Sequence, residues 1–229
     1  MRGIKRFLFG DGTDHLSEEV RLALTAWRDL SKPSLDDVHF QTRYVVLDIA
    51  TSGGKPGVDT LLGIAASALR RGVVSPRDAF FLSFPKPDSD TDTQISDDVD
   101  RQVERQLIAF LQFSAKAPIV TYHTPFVGGF LQRAYKDRFG LNFQPPWIDL
   151  AWLLPSLFEE KAHSIKPLDF WVEAFGLDAG SGRRSTMENN LLLARLFQIL
   201  LVRAKERDID TAAQLIGESH AGQQLMGSH

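Results

Sequence analysis

Residues 43–53 read Arg43-Tyr44-Val45-Val46-Leu47-Asp48-Ile49-Ala50-Thr51-Ser52-Gly53. The run Arg43–Ala50 is rich in β-branched and apolar side chains, which fit a pleated, buried surface, so it is predicted to be a strand. It carries an acid near its end, and a small polar turn, Thr51-Ser52-Gly53, follows it. Downstream, Asp59–Leu69 (DTLLGIAASAL) is apolar at both odd and even positions, as a strand covered on both faces must be. Arg70, Arg71 and Gly72 have the composition of a hairpin turn leading into a third strand around Ala79–Phe84.

Further along, Pro85–Asp100 reads as a loop with six aspartates. Asp88, Asp90 and Asp92 imitate the start of an EF-hand calcium loop, but Thr93 stands where glycine is needed and Val99 where the bidentate glutamate belongs. A solvated loop is the better reading. Arg101–Lys116 has helical spacing, with Val103, Leu107, Phe110, Leu111 and Ser114 on one stripe. Pro118 ends it, and Ile119–Tyr122 is a short strand. A helix from about Gly128 to Phe139 follows, then PPWIDLAWLLP with one more short strand, then a helix over Leu168–Phe175. Gly176, Gly180 and Gly182 mark a loop. The last long helix runs from about Thr186 to Lys205, and Ser185 and Glu188 form a capping box at its start. Upstream, Leu16–Leu30 reads as an amphipathic helix carrying Val20, Leu22, Leu24 and Trp27, closed by Pro33.

Three antiparallel strands followed by alternating β and α elements predict an α/β, three-layer fold of the ribonuclease H-like plan, its mixed central sheet flanked by helices. The chain divides into an N-terminal helical extension (1–42), a main domain (43–206) and a C-terminal tail (207–229).

Composition bounds the function. The 229 residues carry a net charge of −3, which argues against a general nucleic-acid coat protein. With no cysteine, disulfides, thiolate zinc sites and cysteine nucleophiles are excluded together, and a cytoplasmic protein is the natural expectation. The patch Phe7-Leu8-Phe9 is too short for a signal peptide, and no run approaches a membrane span.

Three segments carry a more specific pattern. They are Asp48-Ile49-Ala50-Thr51-Ser52-Gly53; Val120-Thr121-Tyr122-His123-Thr124-Pro125-Phe126-Val127-Gly128-Gly129-Phe130-Leu131; and Arg184-Ser185-Thr186-Met187-Glu188-Asn189-Asn190-Leu191, running into Leu193-Ala194-Arg195-Leu196-Phe197. In order and spacing they resemble the motifs of the DnaQ-like (DEDDh) 3′–5′ exonucleases, similar to the DNA polymerase III epsilon subunit and its bacterial stand-alone subgroup. The resemblance spans roughly residues 43–206. In that family four carboxylates hold two divalent metals, which activate water and neutralise the scissile phosphate, and a histidine serves as general base.

Of the family's acids, Asp48 is retained. The others are replaced by Ala50, Val127 and Asn189, and the histidine by Arg184. The formal charge of these positions therefore falls to zero. A unit pair at ~4 Å is worth about 4 kcal/mol at an effective dielectric of about 20, so a guanidinium there opposes a dication. A guanidinium also stays protonated and cannot accept a proton. The resemblance thus implies a DnaQ-like fold, a pseudoenzyme with vestigial positions Asp48, Ala50, Val127, Arg184 and Asn189, kept for binding a single-stranded nucleic-acid 3′ end or a protein partner. No cofactor is expected on this reading.

The alternative is an active enzyme with a rearranged site, in which Asp48 and Asp149 hold magnesium or manganese. Asp48 reads either as a remnant ligand or, as favoured, as the ion-pair partner of Arg184. Val127 reads as core or cleft lining, and Asn189 as a cleft hydrogen-bonder or a surface residue. Glu188 is explained by the capping box. Thr51, Ser52, Gly53, His123, Phe126 and Arg184 are the expected nucleic-acid contacts. For Phe126 and Phe130 core packing is favoured over base stacking; Arg183 and Arg184 read as a phosphate clamp or a solvated run. The N-terminal helix and its Trp27 are the expected protein-docking element.

Overall fold

The computed structural model describes residues 16–84, 93–177 and 184–226. Among them, β1 (Arg43–Thr51), β2 (Leu61–Arg70), β3 (Val73–Ser83), β4 (Ile119–Thr121) and β5 (Trp147–Asp149) form one mixed sheet in the order β3-β2-β1-β4-β5. The first three strands are an antiparallel meander, while β4 and β5 run parallel to β1. Arg70 pairs with Val73 across a two-residue turn, Arg71 and Gly72, both at positive φ (52° and 74°). That is the turn whose twist matches a hairpin.

The helices are α1 (Glu18–Asp29), α2 (Thr93–Ser114), α3 (Thr124–Phe139), α4 (Leu150–Leu157), α5 (Leu168–Ala174), α6 (Thr186–Glu206) and α7 (Ala212–Met226). Alternation along β1 distributes them over two cores. Val45, Leu47 and Ile49 pack with Val20, Leu24, Phe110, Val127 and Phe130, which belong to α1, α2 and α3. Tyr44 and Val46 point to the other face and pack with Leu153, Trp171, Phe197 and Leu215, from α4 to α7. This is the expected three-layer plan.

Several boundaries differ from the sequence reading. Helix α2 starts at Thr93, inside the stretch read as an acidic loop, and stops at Ser114, where Ala115 and Lys116 take positive φ. Helix α3 starts at Thr124, four residues early, because its first amides are capped by a remote carboxylate described below. β3 begins at Val73, directly after the turn. Leu22, read with the apolar face of α1, is 63 % exposed, while Val20 and Leu24 are buried.

Residues 207–229, read as a tail, contain α7, whose Ala212 and Leu215 are buried. This helix covers the β5 edge of the sheet: Ser219 Oγ accepts the Asp149 backbone N–H at 3.3 Å, and Gly222 lies so close to Trp152 that a Cβ would stand 3.3 Å from its carbonyl oxygen. Phe7–Phe9, Asp88, Asp90, Asp92, Gly180, Gly182 and Arg183 lie outside the described residues. No helix among those described is long and apolar enough to cross a membrane.

Candidate functional site

Asp48 shares a sheet face with Tyr44 and Val46, and α6 crosses that face. The start of α6 is fixed there by Asn190, which is fully buried and donates from Nδ2 to the carbonyls of Val46 (2.8 Å) and Ala65 (3.2 Å). The capping box is present as expected: Ser185 Oγ accepts from the Glu188 amide at 3.2 Å, and Glu188 Oε2 accepts from the Ser185 amide at 2.7 Å. Glu188 is thereby committed to the helix start.

With α6 so placed, Asn189 comes beside Asp48. Its Oδ1 accepts from Arg184 Nε at 2.7 Å, and Arg184 Nη2 forms an ion pair with Asp169 in the first turn of α5. The favoured pairing of Asp48 with Arg184 is therefore replaced. Asn189 engages Nε, α5 supplies a different carboxylate, and Arg184 acts on Asp48 only as a nearby charge. Burial raises the Asp48 carboxyl from its ordinary 3.8 to about 6, against the opposing pull of the Ile49 amide, the Asn189 side chain and the Arg184 charge. These partners do not offset the burial, so this acid is half-protonated near pH 6.

Asp149, the second candidate metal ligand, has a different role. Its Oδ1 accepts from the His123 amide (2.8 Å) and the Ala151 amide (3.0 Å), and its Oδ2 from the Thr124 amide (2.7 Å). It is 4 % exposed and caps both α3 and α4. Alternation also separates it from Asp48. Ile148 packs in the α4–α7 core and Trp147 against the other, so Asp149 extends from the face opposite that of Asp48. Two strand spacings, about 10 Å, lie between β1 and β5. The two acids do not converge on one ion.

The remaining expected positions fall into place around this arrangement. Val127 is 2 % exposed, a core residue. Phe130 is buried, and Phe126 packs edge-on to it with ring centroids 5.2 Å apart, so the core reading holds for both. His123 takes the left-handed conformation (φ 66°) at the start of α3 and leaves its side chain exposed. The Ser52 amide donates to Thr60 O at 3.0 Å, and Thr51 Oγ1 to Gly53 O at 2.8 Å. A Cβ on Gly53 would meet the Asp59 carboxylate at 2.5 Å. The loop after β1 is thus closed on itself, and Arg133 Nη1 ties it to α3 through Pro56 O at 2.6 Å.

The donor set does not suit the paired divalent metals that the fold family implies. Ala50 has no donor atom, Val127 is apolar and buried, the Asn189 amide oxygen is taken by Arg184, and a fixed cation stands next to the remaining carboxylate. Among the described residues no cluster of three or more His, Asp or Glu side chains is placed to hold a metal.

The architecture is that of a ribonuclease H-like exonuclease. The chain superposes on the nuclease domain of 3′hExo, a DEDDh family member bound to rAMP, with a TM-score of 0.54 at 18 % identity over 76 % of this chain and 97 % of that one. Its TM-score with E. coli Exonuclease I in complex with a dT13 oligonucleotide is also 0.54, at 13 % identity over 73 % of this chain and 42 % of that one. S. pombe Pop2p in its Mg2+- and Mn2+-bound form gives 0.51 at 11 % identity over 84 % and 90 %. In sequence, the chain is 29 % identical over 153 residues to the PolC-type DNA polymerase III of Thermotoga petrophila and 30 % identical over 152 residues to that of Thermotoga maritima. These matches cover 63 % and 62 % of this chain but 11 % of each polymerase, so the chain spans a small part of those relatives. No protein-family profile matches the chain. The chain thus shares the fold of the ribonuclease H-like 3′–5′ exonucleases and is similar in sequence to a segment of the PolC-type DNA polymerases III.

Asp169, Asn190 and Asp59 matter to the site and were not singled out from sequence. Asp169 lies 15 residues before Arg184, and nothing local signals the pairing. Asn190 had a readable signal: an asparagine where the family motif carries alanine, on the buried side of a helix start. Asp59 opened a stretch read as a strand, and its role is to bind the Lys55 amide at 2.7 Å within the loop.

Proposed function

We propose that this chain is an exonuclease-fold protein that does not cleave, and that its cleft is retained to hold the 3′ end of a single-stranded nucleic acid. The observation that carries this reading is the side-chain succession Asp48, Asn189, Arg184, Asp169, in which a fixed guanidinium and an amide stand where the family's motif has its base and last acid. The chemistry follows from that set. A protonated guanidinium takes no proton from water, and it opposes a dication beside Asp48. The exposed His123 and the Arg184 N–H groups not used by Asn189 and Asp169 remain to meet a terminal nucleotide. Recognition of this kind requires no metal.

Two measurements test the proposal. Purified protein with magnesium or manganese releases no nucleotide from a labelled single strand, while fluorescence anisotropy detects the same strand binding in the presence of a chelator. The combined reversion Ala50→Glu, Val127→Asp, Arg184→His and Asn189→Asp then gains chelator-sensitive cleavage, at least about a hundredfold above the parent. Chelator-sensitive digestion by the unaltered protein overturns the proposal.

A further inference from the structure

At the end of the sheet opposite Asp48, where β4 and β5 begin, a groove of about 500 Å³ opens between the end of α1 and the segments 114–117 and 142–146. Its apolar lining includes Trp27, Leu35, Phe143 and Pro146. Every charged side chain lining it is a cation: Arg28, Lys32 and Lys116. This one-sidedness is notable in a chain whose net charge is −3. Lys116 is built in, because its Nζ donates to the carbonyls of Arg28 and Leu30 at the end of α1 and stands 5.2 Å from the centre of the Trp27 ring. Arg28 and Lys32 are exposed, and their side chains make no ion pair among the described residues.

We infer that this groove docks a short acidic peptide segment of a partner protein, with an apolar side chain seated against Leu35 and Pro146 and its carboxylates facing Arg28 and Lys32. A low-charge apolar floor with a cationic rim is complementary to such a segment. Nucleic acid fits less well because no ring offers a free face for a base. The Trp27 ring is covered by Lys116, and Phe143 is 3 % exposed and stacked on Tyr135 with centroids 4.6 Å apart. The site is independent of the cleft at Asp48 and stands or falls apart from the cleavage reading.

The test uses the full chain and a fluorescein-labelled octapeptide alternating Asp-Glu with Leu-Phe pairs, read by anisotropy. Saturable binding is expected below about 1 mM, weakened about tenfold by the pair Arg28→Glu and Lys32→Glu, with unchanged thermal unfolding as the check on folding. Lys205→Glu, on the distant end of α6, leaves it unchanged. The inference is overturned if the peptide does not saturate, if Lys205→Glu weakens it as much as the groove variants do, or if those variants abolish binding of labelled oligothymidylate while sparing the peptide.

Discussion

Two strands of one sheet each have an aspartate at or near the C-terminal end, and the two acids live in opposite conditions. Asp149 at the end of β5 receives three backbone N–H groups and caps two helices. Asp48 near the end of β1 is half-buried with fewer donors, and its carboxyl is pushed up to about 6. Asp149 is the more deeply buried of the two, so depth is not what sets them apart; the supply of donors is. An acid whose oxygens are filled by amides is architecture, and one left with fewer donors is open to titration. Asp48 is met by the Ile49 amide and the Asn189 side chain, with Arg184 as a nearby charge.

The contrast is most readily broken at Asp149. Asp149→Ala removes the acceptor of three amides, one buried and two partly buried, and is expected to cost about 3 kcal/mol or more in urea unfolding, enough to threaten the fold. A cost below about 1 kcal/mol would mean that the helix starts at Thr124 and Leu150 do not depend on it.

Asp48→Asn acts in the other direction. The folded protein holds the Asp48 proton up to about pH 6, whereas the unfolded chain releases it near 3.8. Folding therefore takes up a proton between these values, so this group's contribution to stability falls as pH rises from about 4 to about 6 and is flat above. Asp48→Asn is expected to be more stable than the parent by about 1–2 kcal/mol at pH 8, with the advantage gone below about pH 4. A destabilised variant at pH 8 would show that the charged form is held by something stronger than Asn189.

The smallest effect sharpens the comparison. Asp169→Asn frees the Arg184 charge from its exposed partner, which is expected to change stability by less than about 0.5 kcal/mol. It also lowers the Asp48 midpoint below the parent value, readable by carboxyl-carbon NMR titration. An unmoved Asp48 midpoint would mean that Arg184 is too far away or too well screened to act on it.

How much of this was legible in the sequence follows from range. β1, β2 and the hairpin at Arg71-Gly72 were readable because burial and turn geometry are local demands on residue type. The capping box at Ser185 and Glu188 was readable for the same reason. The motif spacing foretold that Asp48, Arg184 and Asn189 come together, as they do in the structure. The start of α3 was not readable, because its cap comes from Asp149, 25 residues away. Nor was the partner of Arg184, since an ion pair between α5 and the start of α6 leaves no periodic trace. Helix α7 escaped for another reason: its polar composition, GESHAGQQ, hides a short apolar contact that only the neighbouring helix defines.

The seal that α7 makes along β5 bears on where the polypeptide can be shortened. A fragment ended at residue 206, as the motif boundaries invite, would strip the cover from β5 and leave the Asp149 amide without Ser219. Bare strand borders recruit other chains. Such a fragment is expected to self-associate in light scattering while the longer chain does not, so the last helix is as much a safeguard against unwanted polymerisation as a part of the globule.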